Sequence, residues 1–151
     1  MKPETYTDEL AKCDSVIHTV GALLEGVDYK SILNGSTNPL HLLSRLTDSK
    51  KNSVPYEESL QAKNRDACKM LAEHFSNACK NKGKGHFVFI SAAPTIAPML
   101  SLYIQMKEQA EAFLINNCPN ISPVILKPGL VWHENERSWS VPLKIATDIG
   151  F

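Results

Sequence analysis

The sequence predicts an α/β fold built on a parallel sheet, a partial Rossmann-like arrangement flanked by helices. Three observations carry this. Short apolar runs at Ser15 to Val20, His86 to Ile90 and Pro123 to Leu126 are rich in β-branched and aromatic residues, as strands are. Long helical patterns separate them, and strands joined through helices lie parallel with the helices on the sheet faces. Turn residues follow the strands at Gly21, Ser91 and Lys127-Pro128-Gly129, where ligands bind in such sheets.

Thr5 to Lys12 reads as the end of a helix, ahead of the first strand, S-V-I-H-T-V. Gly26 to Ser53 is polar, with Asn34, Gly35, Asn38 and Pro39, and reads as a long loop with one helical turn near Tyr29 to Leu33. Loops of that length in small domains are functional or mobile. Tyr56 to Lys80 is the longest helix, with Leu60, Ala67, Leu71, Phe75 and Ala78 assigned to its inner face. A G-K-G turn leads into the second strand. A proline-bounded loop, a helix over Leu100 to Asn117, and the third strand follow. Trp132 to Ser138 reads as polar loop and Val141 to Ile149 as the start of another helix.

The 151 residues allow one domain with a sizeable core. A formal net charge of zero leaves no electrostatic footprint for nucleic acid or an anionic membrane. No apolar run approaches the ~20 residues of a membrane span. Met1 to Leu10 is acidic, without the apolar core of a signal peptide or an Arg-rich transit pattern. Cys13, Cys68, Cys79 and Cys118 form no C-x-x-C pair, which argues against zinc. Cys68 and Cys79 fall in one helix, ~16 Å apart by helical rise, too far for a disulfide. Buried free thiols in a reducing compartment are the economical expectation.

The most informative constellation is Ser91 at a strand end followed by Tyr103 and Lys107. Positions i and i+4 share one helix face, so phenol and ammonium can converge. A nearby ammonium stabilises tyrosinate and lowers a pKa that starts near ~10, which a phenol needs to act as acid or base near neutrality. A serine at the end of a neighbouring strand can hold the carbonyl or alcohol undergoing reaction. Four tyrosines and sixteen Lys plus Arg make one chance pair unsurprising. Tyr103 alone, however, has a lysine four residues on, and it alone follows a buried-type strand ending in serine. His18 reads as packing near the turn after the first strand rather than as a catalyst. His41, His74 and His133 have no partner at metal spacing, and no metal is expected. Trp132 and Trp139 fit either plain packing or the lining of a substrate pocket.

These segments resemble the short-chain dehydrogenase/reductase superfamily in its atypical, epimerase-like branch. The matching pieces are C-D-S-V-I-H-T-V-G, Asn64 in the next helix, F-V-F-I-S, Y-I-Q-M-K and V-I-L-K-P-G-L-V. They correspond to the family's fourth, fifth and sixth strands. The resemblance implies a catalytic tetrad of Asn64, Ser91, Tyr103 and Lys107, with Asn64 equally readable as a solvent-face residue. In that tetrad Tyr103 is the acid/base, Ser91 orients the substrate, Lys107 binds the nicotinamide ribose and tunes Tyr103, and Asn64 holds a relay water. It further implies NAD or NADP as cofactor, with Gly21, Lys107, Pro128 and Gly129 contacting it. Within the branch, M-K-P-E-T-Y-T-D-E-L, D-S-V-I-H-T-V-G-A-L-L-E and Y-I-Q-M-K-E-Q-A-E are similar to fungal mitochondrial members linked to coenzyme Q (ubiquinone) biosynthesis. The respiratory complex I subunit of this fold is a more distant relative. That likeness implies a mitochondrial location, a quinone or quinone precursor as ligand, and partners in a coenzyme Q synthesis complex. It leaves two classes open: an oxidoreductase, or a non-catalytic scaffold or quinone binder.

One departure is plain. A dinucleotide fold needs a glycine-rich turn between its first strand and helix. The seven glycines, Gly21, Gly26, Gly35, Gly83, Gly85, Gly129 and Gly150, make no such pattern. The expectation is therefore a domain covering strands four to six, cut at both ends, with Ser15 to Val20 as an exposed apolar edge.

Overall fold

Among the described residues, apolar side chains build a sheet of three parallel strands in the order β1-β2-β3. In the computed structural model, which describes residues 5–23, 55–94 and 100–129, β1 is Ser15–His18, β2 Gly85–Ile90 and β3 Ile121–Leu126. The chain divides into two compact units, Met1–Glu25 with Val54–Pro128 and Gly26–Ser53 with Gly129–Phe151. Every described residue except Gly129 belongs to the first. The expectations for the loop at Gly26 to Ser53, the turn at Tyr29 to Leu33, His41, Trp132 to Ser138, His133, Trp139 and the helix at Val141 to Ile149 lie outside the described residues.

Register places Val16 and His18 beside Phe87 and Phe89, and these beside Pro123 and Ile125. Because strand side chains alternate, this set shares one face. Phe87, Phe89 and His18 are fully buried there. The other face carries Ile17, Val88, Ile90, Val124 and Leu126, of which Ile17 is 66 % exposed and Leu126 48 %. All three expected strands form, though β1 stops at His18, two residues short of the expected Val20. β3 begins two residues earlier than expected and contains Pro123, which an edge strand tolerates because half its N–H groups lie outside the ladder.

Helices α1 (Thr7–Leu10), α2 (Ala67–Cys79) and α3 (Ser101–Asn117) complete the unit. A 3-10 turn at Tyr56–Glu58 and a π-helical turn at Ala62–Asp66 lead into α2. Phe75 of α2 packs against Phe87, ring centroids 6.4 Å apart, and Lys107 of α3 lies over Phe89. Both long helices therefore cover the same face, as two crossovers of one hand stepping the same way along a sheet require. The inner stripe before and along α2 is Leu60, Asn64, Cys68, Ala72, Phe75, Ser76 and Cys79. This corrects the expected stripe, since Leu71 and Ala78 only flank the core and Ala67 is half-buried. Small side chains at Cys68, Ala72 and Ser76 let the helix settle closely on the sheet, and the bulkier leucine is displaced to the side.

Cys68, Cys79 and Cys118 are buried free thiols, and Cys13 is a half-buried one. Asn120 joins the layers at the amino ends of the strands. Its side-chain amide donates to the Ser76 carbonyl at 3.1 Å, and its own carbonyl accepts from Gly85 N–H at 3.1 Å. Among the described residues, no helix is long and apolar enough to cross a membrane.

Gly85 sits where β2 passes under α2. A Cβ there would lie 2.6 Å from both Cys79 Sγ and Phe75 Cζ. Gly85→Ala should therefore cost about 1–3 kcal/mol through overpacking. A lower urea midpoint with unchanged slope is the expected result, and an unchanged midpoint would show that α2 is not held this tightly.

Candidate functional site

Two polar clusters form at the carboxyl ends of the strands. The first is centred on Lys107, 3 % exposed, on the buried face of α3. Its ammonium donates to the Ile90 carbonyl at 3.0 Å and, at longer range, to the Val20 carbonyl at 3.5 Å. It also stands 4.8 Å from the Phe89 ring centroid and 5.9 Å from that of Tyr103. Among the described residues no carboxylate pairs with it. Burying an unpaired ammonium is costly, and here carbonyl dipoles and two ring faces offset that cost. Desolvation holds the Lys107 pKa below the usual lysine range.

Asn64, fully buried, supports the chain leaving β1. Its side-chain NH₂ donates to the Ala22 carbonyl at 2.7 Å and the Leu60 carbonyl at 3.1 Å, while its Oδ1 accepts from Ala22 N–H at 3.1 Å. The π-helical turn carries this side chain, a local widening often found at functional positions. Gly21 crosses directly over the pair: an added Cβ would lie 2.8 Å from Asn64 Oδ1 and 3.1 Å from Lys107 Nζ. Glycine is thus demanded by close approach. Tyr103 is half-buried one helical turn before Lys107.

The second cluster joins the exits of β2 and β3. Ser91, 3 % exposed, donates its hydroxyl proton to Glu111 Oε1, and Glu111 Oε2 pairs with Lys127 Nζ at 2.7 Å. Ser91 N–H donates to the Leu126 carbonyl at 2.8 Å and Ala93 N–H to the Pro128 carbonyl at 3.1 Å. With its one proton committed, Ser91 has lone pairs left to offer. Pro128 is exposed. Gly129, also exposed, falls in the second unit, and a Cβ there would meet nothing.

Gly21, Asn64, Tyr103 and Lys107 are thus gathered in one cluster, while Ser91 is gathered with Glu111, Lys127 and Pro128. Glu111 was missed by sequence reasoning. Its signal was available: four residues beyond Lys107 and eight beyond Tyr103, it continues the same helix face. Among the described residues, no group of three or more His, Cys, Asp or Glu could hold a metal ion.

His18 lies beneath this region, 1 % exposed, stacked on Phe87 and tilted against Phe89. Among the described residues neither ring nitrogen has a hydrogen-bond partner. Burial, then the Lys107 charge, lowers its pKa to about 4. Burial likewise pushes the Cys68 thiol up to about 12 against the pull of Lys107.

The fold and these clusters define a parallel α/β unit of partial Rossmann-like type, with its polar groups concentrated where the strands end. No family model matches the chain, and no solved structure matches it. It is 28 % identical over 151 aligned residues to the Saccharomyces cerevisiae protein named MIOREX complex component 2. That alignment covers 91 % of this chain and 54 % of the yeast protein, so the chain spans about half the length of this curated relative.

The His18 shift has a definite sign. Its folded pKa of about 4 lies below the ordinary 6.5, so the unfolded chain binds the extra proton first. The stabilisation is complete above pH 6.5 and is lost as pH falls through about 4, amounting to about 3 kcal/mol over that window. His18→Leu should remove this limb from the stability curve while changing stability at pH 7 by under about 1.5 kcal/mol. Chemical denaturation at several pH values checks it. Parallel curves for variant and wild type between pH 6.5 and 4 would refute the assignment.

Proposed function

We propose that this chain carries the acid/base and ribose-binding side of an oxidoreductase-like site in a mitochondrial protein of ubiquinone synthesis. NAD or NADP is its cofactor, a quinone or quinone precursor its ligand, and other proteins of a mitochondrial complex its partners. The observation that carries the reading is the state of Lys107. Its ammonium has three protons, and two are donated to the Ile90 and Val20 carbonyls. The third is left for a ligand oxygen on the side of the Tyr103 ring. A ribose hydroxyl suits that donor chemically, and glycine at position 21 lets the chain after β1 pass close to Lys107.

A bound nicotinamide supplies hydride transfer. In this reading the chain's own groups do the rest. Tyr103 passes a proton to or from the ligand oxygen, and the Lys107 charge stabilises the phenolate that results. Ser91 accepts a hydrogen bond from the hydroxyl form of the ligand. The 151 residues contain no glycine-rich phosphate turn, so this reading assigns the chain no pyrophosphate contacts. Location and partners rest on the likeness to the fungal mitochondrial branch and on the match to a protein named as a complex component.

A second reading has its own observation. Ser91 and Lys107 are each 3 % exposed, and Asn64 uses both amide protons on backbone carbonyls. Such groups could serve only to tie the strand ends together in a non-catalytic scaffold or quinone binder.

Tyr103→Phe in the protein as cells make it separates the two, because it removes one oxygen and keeps the ring. Loss of the acid/base should lower turnover on the order of 10²–10⁴-fold and with it cellular ubiquinone. Thermal stability is measured alongside, so that lost turnover is separable from lost folding. Normal ubiquinone in cells carrying the variant would leave the scaffold reading standing.

A further inference from the structure

We infer that Glu111 is a positioning residue of this site, a latch that holds Ser91 and the Lys127–Pro128 start of the turn after β3 in fixed relation. The inference rests on the reading of Ser91 as a ligand-facing acceptor.

Glu111 is 9 % exposed on the inner face of α3, one turn beyond Lys107. Each of its oxygens has a separate task. Oε1 receives the Ser91 hydroxyl proton, and Oε2 takes the Lys127 ammonium at 2.7 Å. Ser91 begins the loop after β2 and Lys127 begins the turn after β3, so one carboxylate joins two strand exits to one helix. Two backbone bonds run alongside, Ser91 N–H to the Leu126 carbonyl and Ala93 N–H to the Pro128 carbonyl. The carboxylate also fixes the polarity of Ser91. An acceptor-only neighbour takes the hydroxyl proton and turns the serine lone pairs elsewhere. Without Glu111 that hydroxyl would rotate freely and could donate as readily as accept. A helix that buries a glutamate where a leucine would serve packing better gives up hydrophobic stabilisation, and a site that needs Ser91 oriented accounts for it.

Hydrogen exchange on the full-length protein, with cellular ubiquinone as a second readout, tests this. Glu111→Ala should accelerate exchange at the Ser91 and Ala93 amides by roughly ten- to a hundredfold, the loss expected when a charged hydrogen-bond partner is removed. The ladder between β1 and β2 should be unaffected. Glu111→Gln keeps an oxygen for Ser91 but not the charge for Lys127, so it should loosen Ala93 while leaving Ser91 protected. Should Glu111→Ala fail to fold, Ser91→Ala and Lys127→Met remove one arm each, and Lys127→Met should loosen Ala93 while leaving Ser91 protected. Ubiquinone should fall in Glu111→Ala and recover largely in Glu111→Gln. Unchanged exchange at both amides, or equal acceleration throughout the sheet, would overturn the latch. Local loosening with normal ubiquinone, in cells where Tyr103→Phe lowers it, would reduce Glu111 to a purely structural role and overturn the positioning claim. Normal ubiquinone with Tyr103→Phe as well would instead count against the oxidoreductase reading.

Discussion

A positive charge buried at the ends of parallel strands is the constraint around which this unit is arranged. Lys107 has no carboxylate partner among the described residues. It is tolerated because the Ile90 and Val20 carbonyls and the Phe89 and Tyr103 rings surround it. That arrangement has consequences in every direction. The chain after β1 must come close enough to offer Val20, which requires glycine at position 21 and the Asn64 clamp on Ala22. α3 must lie with a charged stripe inward. His18, below, stays neutral in part because of the charge above it. Sequence, packing and electrostatics meet at one nitrogen.

Much of the fold was legible because parallel strands write themselves as short β-branched and aromatic runs. H-F-V-F-I and P-V-I-L became strands, S-V-I-H-T-V did so over its first four residues, and all three run parallel as expected. The inner stripe of α2 was less legible. Leu71 is the more hydrophobic residue, yet Cys68, Ala72 and Ser76 are buried because small side chains let helix and sheet approach. Hydrophobicity alone ranks these the wrong way round. α3 posed the opposite difficulty. Its buried face includes Lys107 and Glu111, so charge lies where a core pattern should be apolar. The Tyr103–Lys107 spacing still marked the helix face that carries the buried ammonium. Glu111 was passed over because a lone glutamate on a helix is ordinarily solvent-facing, and only the distant partners Ser91 and Lys127 give it a reason to be inside.

The two clusters also divide the labour of the candidate site. Gly21, Asn64 and Lys107 fix the exit of β1 against that of β2, and Glu111 fixes the exit of β2 against that of β3. Parallel strands deliver all their carboxyl ends to one edge, so both ties act on the same rim of the sheet. The same topology leaves Ile17, Val124 and Leu126 exposed on the opposite face, whereas parallel sheets are ordinarily covered on both.

The account stands or falls on the charge and confinement of Lys107. Heteronuclear NMR of its Nζ and Cε across a pH titration measures both together. The account predicts a titration midpoint below that of the exposed lysines, ammonium protons that exchange slowly with water, and ring-current shifts from Phe89 and Tyr103. A Lys107 signal that titrates and exchanges like the surface lysines would contradict it.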